Sequence, residues 1–91
     1  MIDFSHANSR KDYRKQIEVC DEVCAQLATG NRAIFGVMVE SHLVEGRQDL
    51  LPGKPLTYGQ SITDACIGWG DTENLLATLA NAVQARRKAQ R

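Results

Sequence analysis

Three side chains in this chain of 91 residues are spaced so that they can act together: His6, Glu40 and Asp64, separated by 34 and 24 residues. Each interval suits one strand-to-strand step in a parallel α/β chain. With His6 following a first strand, Glu40 ending a second and Asp64 in or just after a third, the three reach one rim at intervals near the strand separation of ~4.8 Å. An imidazole nitrogen and two carboxylates form a mixed donor set suited to Mn, Fe, Co or Zn, the carboxylates offsetting the charge of the ion. The expectation is a divalent-metal site of His6, Glu40 and Asp64. A structural reading of the same residues stays open. A His near Ser5 and Asn8 can serve a loop or a cap, and a Glu after a strand can simply be exposed. His42 is a rival ligand if the second strand continues past Glu40, because alternate strand residues share a face.

Other reactive side chains have plainer readings. Cys20 and Cys24, at i and i+4, can bridge an ion, but they lie on an apolar stripe where buried thiols are routine, and they are assigned to the core. Cys66 is two residues from Asp64 and can share its face, where a redox-active ion would expose it to oxidation; burial without reactivity is the alternative. Trp69 reads as a packing anchor before the last helix. Arg47 and Lys54 read as solvated loop cations within reach of an anionic substrate.

The elements that must position these groups follow from periodicity. Tyr13, Ile17, Cys20, Cys24 and Leu27 recur at steps of four, three, four and three, the stripe of an amphipathic helix from about Ser9 to Thr29. Asn8 or Ser9 can cap it, Asp12 stands where a capping box would have it, and Gly30 suits a left-handed C′ position. The apolar run from Ile34 to Val39, broken by Gly36, predicts a strand buried on both faces. Residues 1–4 predict a shorter strand, completing a right-handed βαβ unit. Residues 43–60 carry turn signals and no period, which predicts a long loop. Residues 61–64, or on to Ile67, predict a last short strand. A helix capped by Asp71 or Thr72 follows, with Leu75, Leu76, Leu79 and Val83 on its buried stripe.

Composition bounds the function classes. Eleven Lys and Arg balance eleven Asp and Glu, so no global field is available to hold nucleic acid or an anionic membrane. The basic cluster Arg86, Arg87, Lys88 and Arg91 fits a helix C-terminus, where cations oppose the dipole. No apolar run approaches the roughly 20 residues of a membrane helix. Three cysteines and no signal-peptide pattern predict a reduced, cytoplasmic protein. Apolar residues at 43% and charged residues at 24% predict one compact globular unit spanning residues 1–91.

Three blocks, Asp3-Phe4-Ser5-His6-Ala7-Asn8, then Gly36 to Leu43 (GVMVESHL), then Ser61 to Trp69 (SITDACIGW), resemble class I 3-deoxy-D-arabino-heptulosonate-7-phosphate (DAHP) synthase, and the resemblance runs to about Arg87. It implies an α/β fold: the C-terminal part of a (β/α)8 TIM barrel, ordered strand, helix, strand, long loop, strand, helix, and incomplete because a whole barrel takes about 250 residues. In the family a divalent metal serves the condensation of phosphoenolpyruvate with erythrose 4-phosphate, the first step of the shikimate pathway. The resemblance assigns His6, Glu40 and Asp64 as metal ligands, with His6 near phosphoenolpyruvate and Asp64 near the aldose phosphate as catalytic residues. It also implies that a fourth ligand, a cysteine, and the Lys and Arg residues that clamp the phosphates belong to segments this chain does not contain. Metal binding is therefore expected to be weak or absent here, and the chain inactive by itself. Open sheet edges and an apolar strand face predict a homo-oligomer. The alternative is a non-catalytic partner that docks onto another synthase chain.

Overall fold

The computed structural model describes residues 1–6 and 12–89. Their elements are β1 (Ile2–Asp3), α1 (Lys15–Ala28), β2 (Val37–Met38) and α2 (Trp69–Ala89). β1 and β2 pair in parallel, Ile2 opposite Val37 and Asp3 opposite Met38. The Ile2 N–H donates to the Gly36 carbonyl at 2.9 Å and the Phe4 N–H to that of Met38 at 2.8 Å. The result is a small α/β piece with a two-stranded parallel sheet, not a closed barrel.

The third strand expected at residues 61–64 does not form. Beyond β1 and β2 parallel pairing is reduced to isolated bridges, one of them between Ser41 and Ile67, in which the Ile67 N–H meets the Glu40 carbonyl and the His42 N–H meets the Ile67 carbonyl, each at 3.0 Å. Ser61 Oγ instead accepts the Thr63 N–H at 3.1 Å. That local turn competes with a ladder for the backbone donor.

α1 begins later than its stripe suggests. The expected caps Asn8 and Ser9 lie outside the described residues. Asp12 is part of a turn, not a capping box: its Oδ1 accepts the Arg14 N–H at 3.1 Å and its carbonyl the Lys15 N–H at 3.0 Å. The C-terminus matches expectation. Gly30 has φ +100°, its N–H bonds to the Leu27 carbonyl, and the Asn31 N–H bonds to that of Gln26, the paired bonds of a Schellman ending.

α2 starts at Trp69, so Asp71 and Thr72 lie within its first turn, not at its cap. The Trp69 N–H is satisfied by the Leu43 carbonyl at 3.3 Å, which replaces a side-chain cap for one of the orphan donors. Trp69 itself is 49% exposed, so it is not the buried anchor expected. Asp71 in the first turn and Arg86, Arg87 and Lys88 in the last complement the dipole as anticipated. Arg86 also reaches back to donate to the Ile34 carbonyl at 2.8 Å.

α1 packs on α2, and Phe4, Cys20, Val23, Leu27, Ile67 and Leu75 are the chief members of the core between helices and sheet. Burying each large apolar side chain contributes about 1.5–3 kcal/mol. On α2 the inward positions are Thr72, Leu75, Leu79 and Ala82, spaced three, four and three. Leu76 falls about 100° from that line and is exposed. β2 is shorter than the strand expected from Ile34 to Val39, and neither of its two residues is fully buried. Val37 and Val39 pack on the core, whereas Phe35 is 83% exposed and nothing among the described residues covers it.

Residues 43–60 form the expected loop, tied by isolated bridges from Gly46 to Cys66 and from Arg47 to Ser61. The Gln48 side chain acts there as a surrogate peptide: its Nε2 donates to the Thr57 carbonyl and its Oε1 accepts the Thr57 N–H, both at 2.8 Å. The radius of gyration is 15.4 Å, above the about 12 Å of a compact chain of this length, so the chain is elongated rather than the compact unit composition suggested. No helix among the described residues is long and apolar enough to cross a membrane.

Candidate metal centre

The first block places His6 by burying what precedes it. Phe4 and Ser5 are buried just past β1, and His6 then turns back with φ 51°. It is the only described non-glycine residue with positive φ, a region where His is more common than most side chains. Asp3 holds the ring from below: its Oδ2 lies 2.9 Å from His6 Nδ1, and its Oδ1 accepts the Ser5 hydroxyl at 2.6 Å. The Ser5 hydroxyl, then His6, hold the Asp3 carboxyl below its usual range. The bond to Asp3 in turn raises the imidazole above its usual value. A carboxylate accepting from Nδ1 selects the tautomer whose Nε2 carries a lone pair, the arrangement that supports metal-ligating histidines.

That Nε2 lies 3.2 Å from Glu40 Oε1 and 3.8 Å from Asp64 Oδ2. One ligand atom from each of the three residues lies within 4.8 Å of the other two. Donors at about 2.0–2.2 Å from one ion stand roughly 3–3.5 Å apart at ordinary coordination angles, so the trio needs only a small contraction to share a cation. Glu40 is positioned two residues after β2 and Asp64 three residues before Ile67, the residue bridged to Ser41. Asp64 thus arrives from a bend ahead of the bridge, not from the end of a strand, and its side chain is 74% exposed. Tyr13, Gln16, Arg47 and Thr63 join the trio around a cavity of about 290 Å³.

The remaining candidates fall elsewhere. His42 is exposed, and its Nδ1 accepts the Leu43 N–H at 2.8 Å, away from the cluster. Cys66 is buried, with its thiol directed to the Asp64 carbonyl at 3.4 Å, and burial pushes the thiol up. Cys20 and Cys24 sit in the core with their sulfurs 3.8 Å apart; burial pushes Cys20 up to about 12. Lys54 lies outside the cavity. Arg47 lines it, but its guanidinium donates to the Thr63 carbonyl and to Asp49 Oδ1, each at 2.8 Å.

Two participants escaped the spacing argument. Asp3 reads as an ordinary strand residue, although carboxylate and imidazole three apart past a strand end are a usable signal. Gln16 is fully buried, with its side-chain amide bonded to the main chain of Glu40. Projecting the line of Cys20, Cys24 and Leu27 back by one turn passes through residue 16 and marks it as inward-facing.

Parallel strands with polar side chains gathered past their ends place the chain among α/β proteins whose sites lie at such ends. The family model for the DAHP synthetase I family matches residues 1–77, and the chain belongs to that family. It is 71% identical over 89 residues to phospho-2-dehydro-3-deoxyheptonate aldolase of Haemophilus influenzae, covering 98% of this chain and 25% of that protein. It is 69% identical over 87 residues to the Phe-sensitive phospho-2-dehydro-3-deoxyheptonate aldolase of Escherichia coli K12, covering 96% and 25%. A solved phospho-2-dehydro-3-deoxyheptonate aldolase from Francisella tularensis superposes with a TM-score of 0.88 at 53% identity, covering 94% of this chain and 25% of that one. The chain thus spans about a quarter of the length of the relatives it matches.

Proposed function

We propose that this chain contributes the metal-holding corner of a DAHP synthase, the C-terminal part of that enzyme's barrel, in a reaction that joins phosphoenolpyruvate to erythrose 4-phosphate. The observation that carries the reading is the convergence of His6 Nε2, Glu40 Oε1 and Asp64 Oδ2 in a chain of this family. The donor set suits Mn, Fe, Co or Zn. Such a cation, when bound, supplies Lewis-acid polarisation of a substrate oxygen, worth several kcal/mol at a transition state. The chain's own residues supply aim. Asp3 fixes the imidazole, and the left-handed turn at His6 directs Nε2 toward the two carboxylates.

The chain alone is inactive in this reading. Both substrates carry phosphate, and Arg47, the one Lys or Arg lining the cavity among the described residues, is already bonded to Asp49 and Thr63. Without a phosphate clamp both positioning and transition-state stabilisation are lost. The expected outcome is no phosphate release from the two substrates with added Mn²⁺. Activity should return when a polypeptide carrying the rest of the barrel is supplied, and His6→Ala should abolish the restored activity. Release of phosphate by the chain alone would refute inactivity.

Exposed Met1 and Phe35 beside the sheet favour association with a further chain. A second copy is the proposed occupant, and light scattering at micromolar concentration should give more than the monomer mass. Docking onto another synthase without restoring activity would instead favour a non-catalytic partner. Nucleic acid and membrane remain outside the proposal, as does any compartment other than the cytoplasm.

A further inference from the structure

Gln16 is the one fully buried polar side chain on α1. Its Nε2 donates to the Glu40 carbonyl at 2.9 Å, and its Oε1 accepts the Glu40 N–H at 2.8 Å. Nε2 also lies 3.3 Å from the Tyr13 carbonyl. Only one orientation of the amide matches donors to acceptors here, because the Glu40 N–H requires an oxygen and its carbonyl an NH₂. The amide therefore pairs with Glu40 as a neighbouring strand would, at a point where β2 has ended and the ladder with β1 no longer holds the chain. The Glu40 carbonyl also receives the Ile67 N–H at 3.0 Å, so Gln16, Glu40 and the bridge to Ile67 form one connected set.

A carboxylate reaching for an ion is only as well placed as its own backbone. We propose that Gln16 is a positioning residue, a helix-borne clamp on the main chain of Glu40 that sets the carboxylate for a divalent cation shared with His6 and Asp64. The inference rests on the metal reading above and extends it to a residue that touches no ion. Burial leaves the amide no water to fall back on, so removing it strips the Glu40 N–H of its partner and leaves the Glu40 carbonyl with Ile67 alone.

The test compares the whole chain with Gln16→Met, which keeps length and apolar fit, and with Val23→Ala, a core change on the same helix remote from Glu40. One readout is Mn²⁺ affinity from paramagnetic broadening of the His6, Glu40 and Asp64 amide resonances, which reaches millimolar binding. The other, independent of metal, is amide hydrogen exchange at Glu40. Gln16→Met should weaken Mn²⁺ by about 10-fold or more, the range for residues that support ligands, and speed Glu40 exchange. Val23→Ala should lower the melting temperature while leaving affinity within about 2-fold. Gln16→Leu, which likewise removes both hydrogen-bonding groups, takes the place of Gln16→Met if the latter does not fold. Equal affinity and exchange in wild type and Gln16 variant, or equal losses in Val23→Ala, would overturn the clamp while leaving the metal site standing. Absence of broadening in the wild type would overturn the metal reading and the clamp's role in it.

Discussion

The rim trio of His6, Glu40 and Asp64 and the core pair of Cys20 and Cys24 are both close sets of metal-capable side chains, yet the protein surrounds them in opposite ways. The two sulfurs approach to 3.8 Å but lie in apolar packing, and Cys20 is pushed up to about 12. Cys20 is then held as the neutral thiol at neutral pH, not as the thiolate that binds metal. The trio is wet, acidic and built around a ring already held by Asp3. Ligand proximity alone is therefore a poor guide; charge that can be expressed, and a partner that aims the ligand, distinguish the two sets.

The sharpest way to break this contrast is to remove a ligand from each set. Glu40→Ala should weaken Mn²⁺ binding by more than about 100-fold, beyond the range for supporting residues, while Cys24→Ala leaves it unchanged in the same titration. Loss in Cys24→Ala with none in Glu40→Ala would mean that the thiols, not the rim, hold the ion. Next in size, Asp3→Asn should cost about 10-fold in Mn²⁺ affinity by loosening the imidazole. Cys20→Ala should instead lower stability by about 1 kcal/mol through a small cavity, read as a fall of about 4–8 °C in melting temperature. Iodoacetamide should leave Cys20 unmodified in the folded chain and modify it once urea unfolds the protein.

The smallest effect is the pH dependence of the Asp3–His6 pair. His6 is raised from 6.5, so its contribution is complete below about pH 6.5 and is lost as pH rises through the folded value. Asp3 is lowered from 3.8, so its contribution is complete above about pH 3.8 and is lost as pH falls through the folded value. The stability difference between wild type and Asp3→Asn should therefore peak between about pH 4 and 6 and shrink on both sides, as urea titrations at about pH 3, 5 and 9 would show. Mn²⁺ binding moves oppositely to the His6 contribution, weakening as the imidazole protonates.

The sequence carried the parts of this structure that depend on local pattern. The Cys20–Cys24–Leu27 stripe, the Gly30 stop and the spacing of His6, Glu40 and Asp64 were all legible. What escaped it depends on tertiary partners. The strand expected at residues 61–64 yields to a Ser61 side-chain turn. Phe35 and Leu76 are apolar yet exposed, because apolarity names a preference for burial and not the side on which cover is present. Gln16 was hidden by its polarity: its place inside makes sense only once the Glu40 N–H and carbonyl, past the end of β2, are seen beside it. Asp3 was hidden by its position in a strand, where a carboxylate has no evident task until His6 turns back over it.

β2 contributes two residues to a ladder, too few to fix its own position, yet it is gripped near both extremities by side chains from different helices: Arg86 at the Ile34 carbonyl and Gln16 at the Glu40 peptide. It resembles a short beam resting on two supports. Sliding by one residue would have to break both anchorages together. Alignment of this segment is thus dictated by the helical layer, and mechanical load applied near Arg86 would be felt, through the span, at the opposite rim.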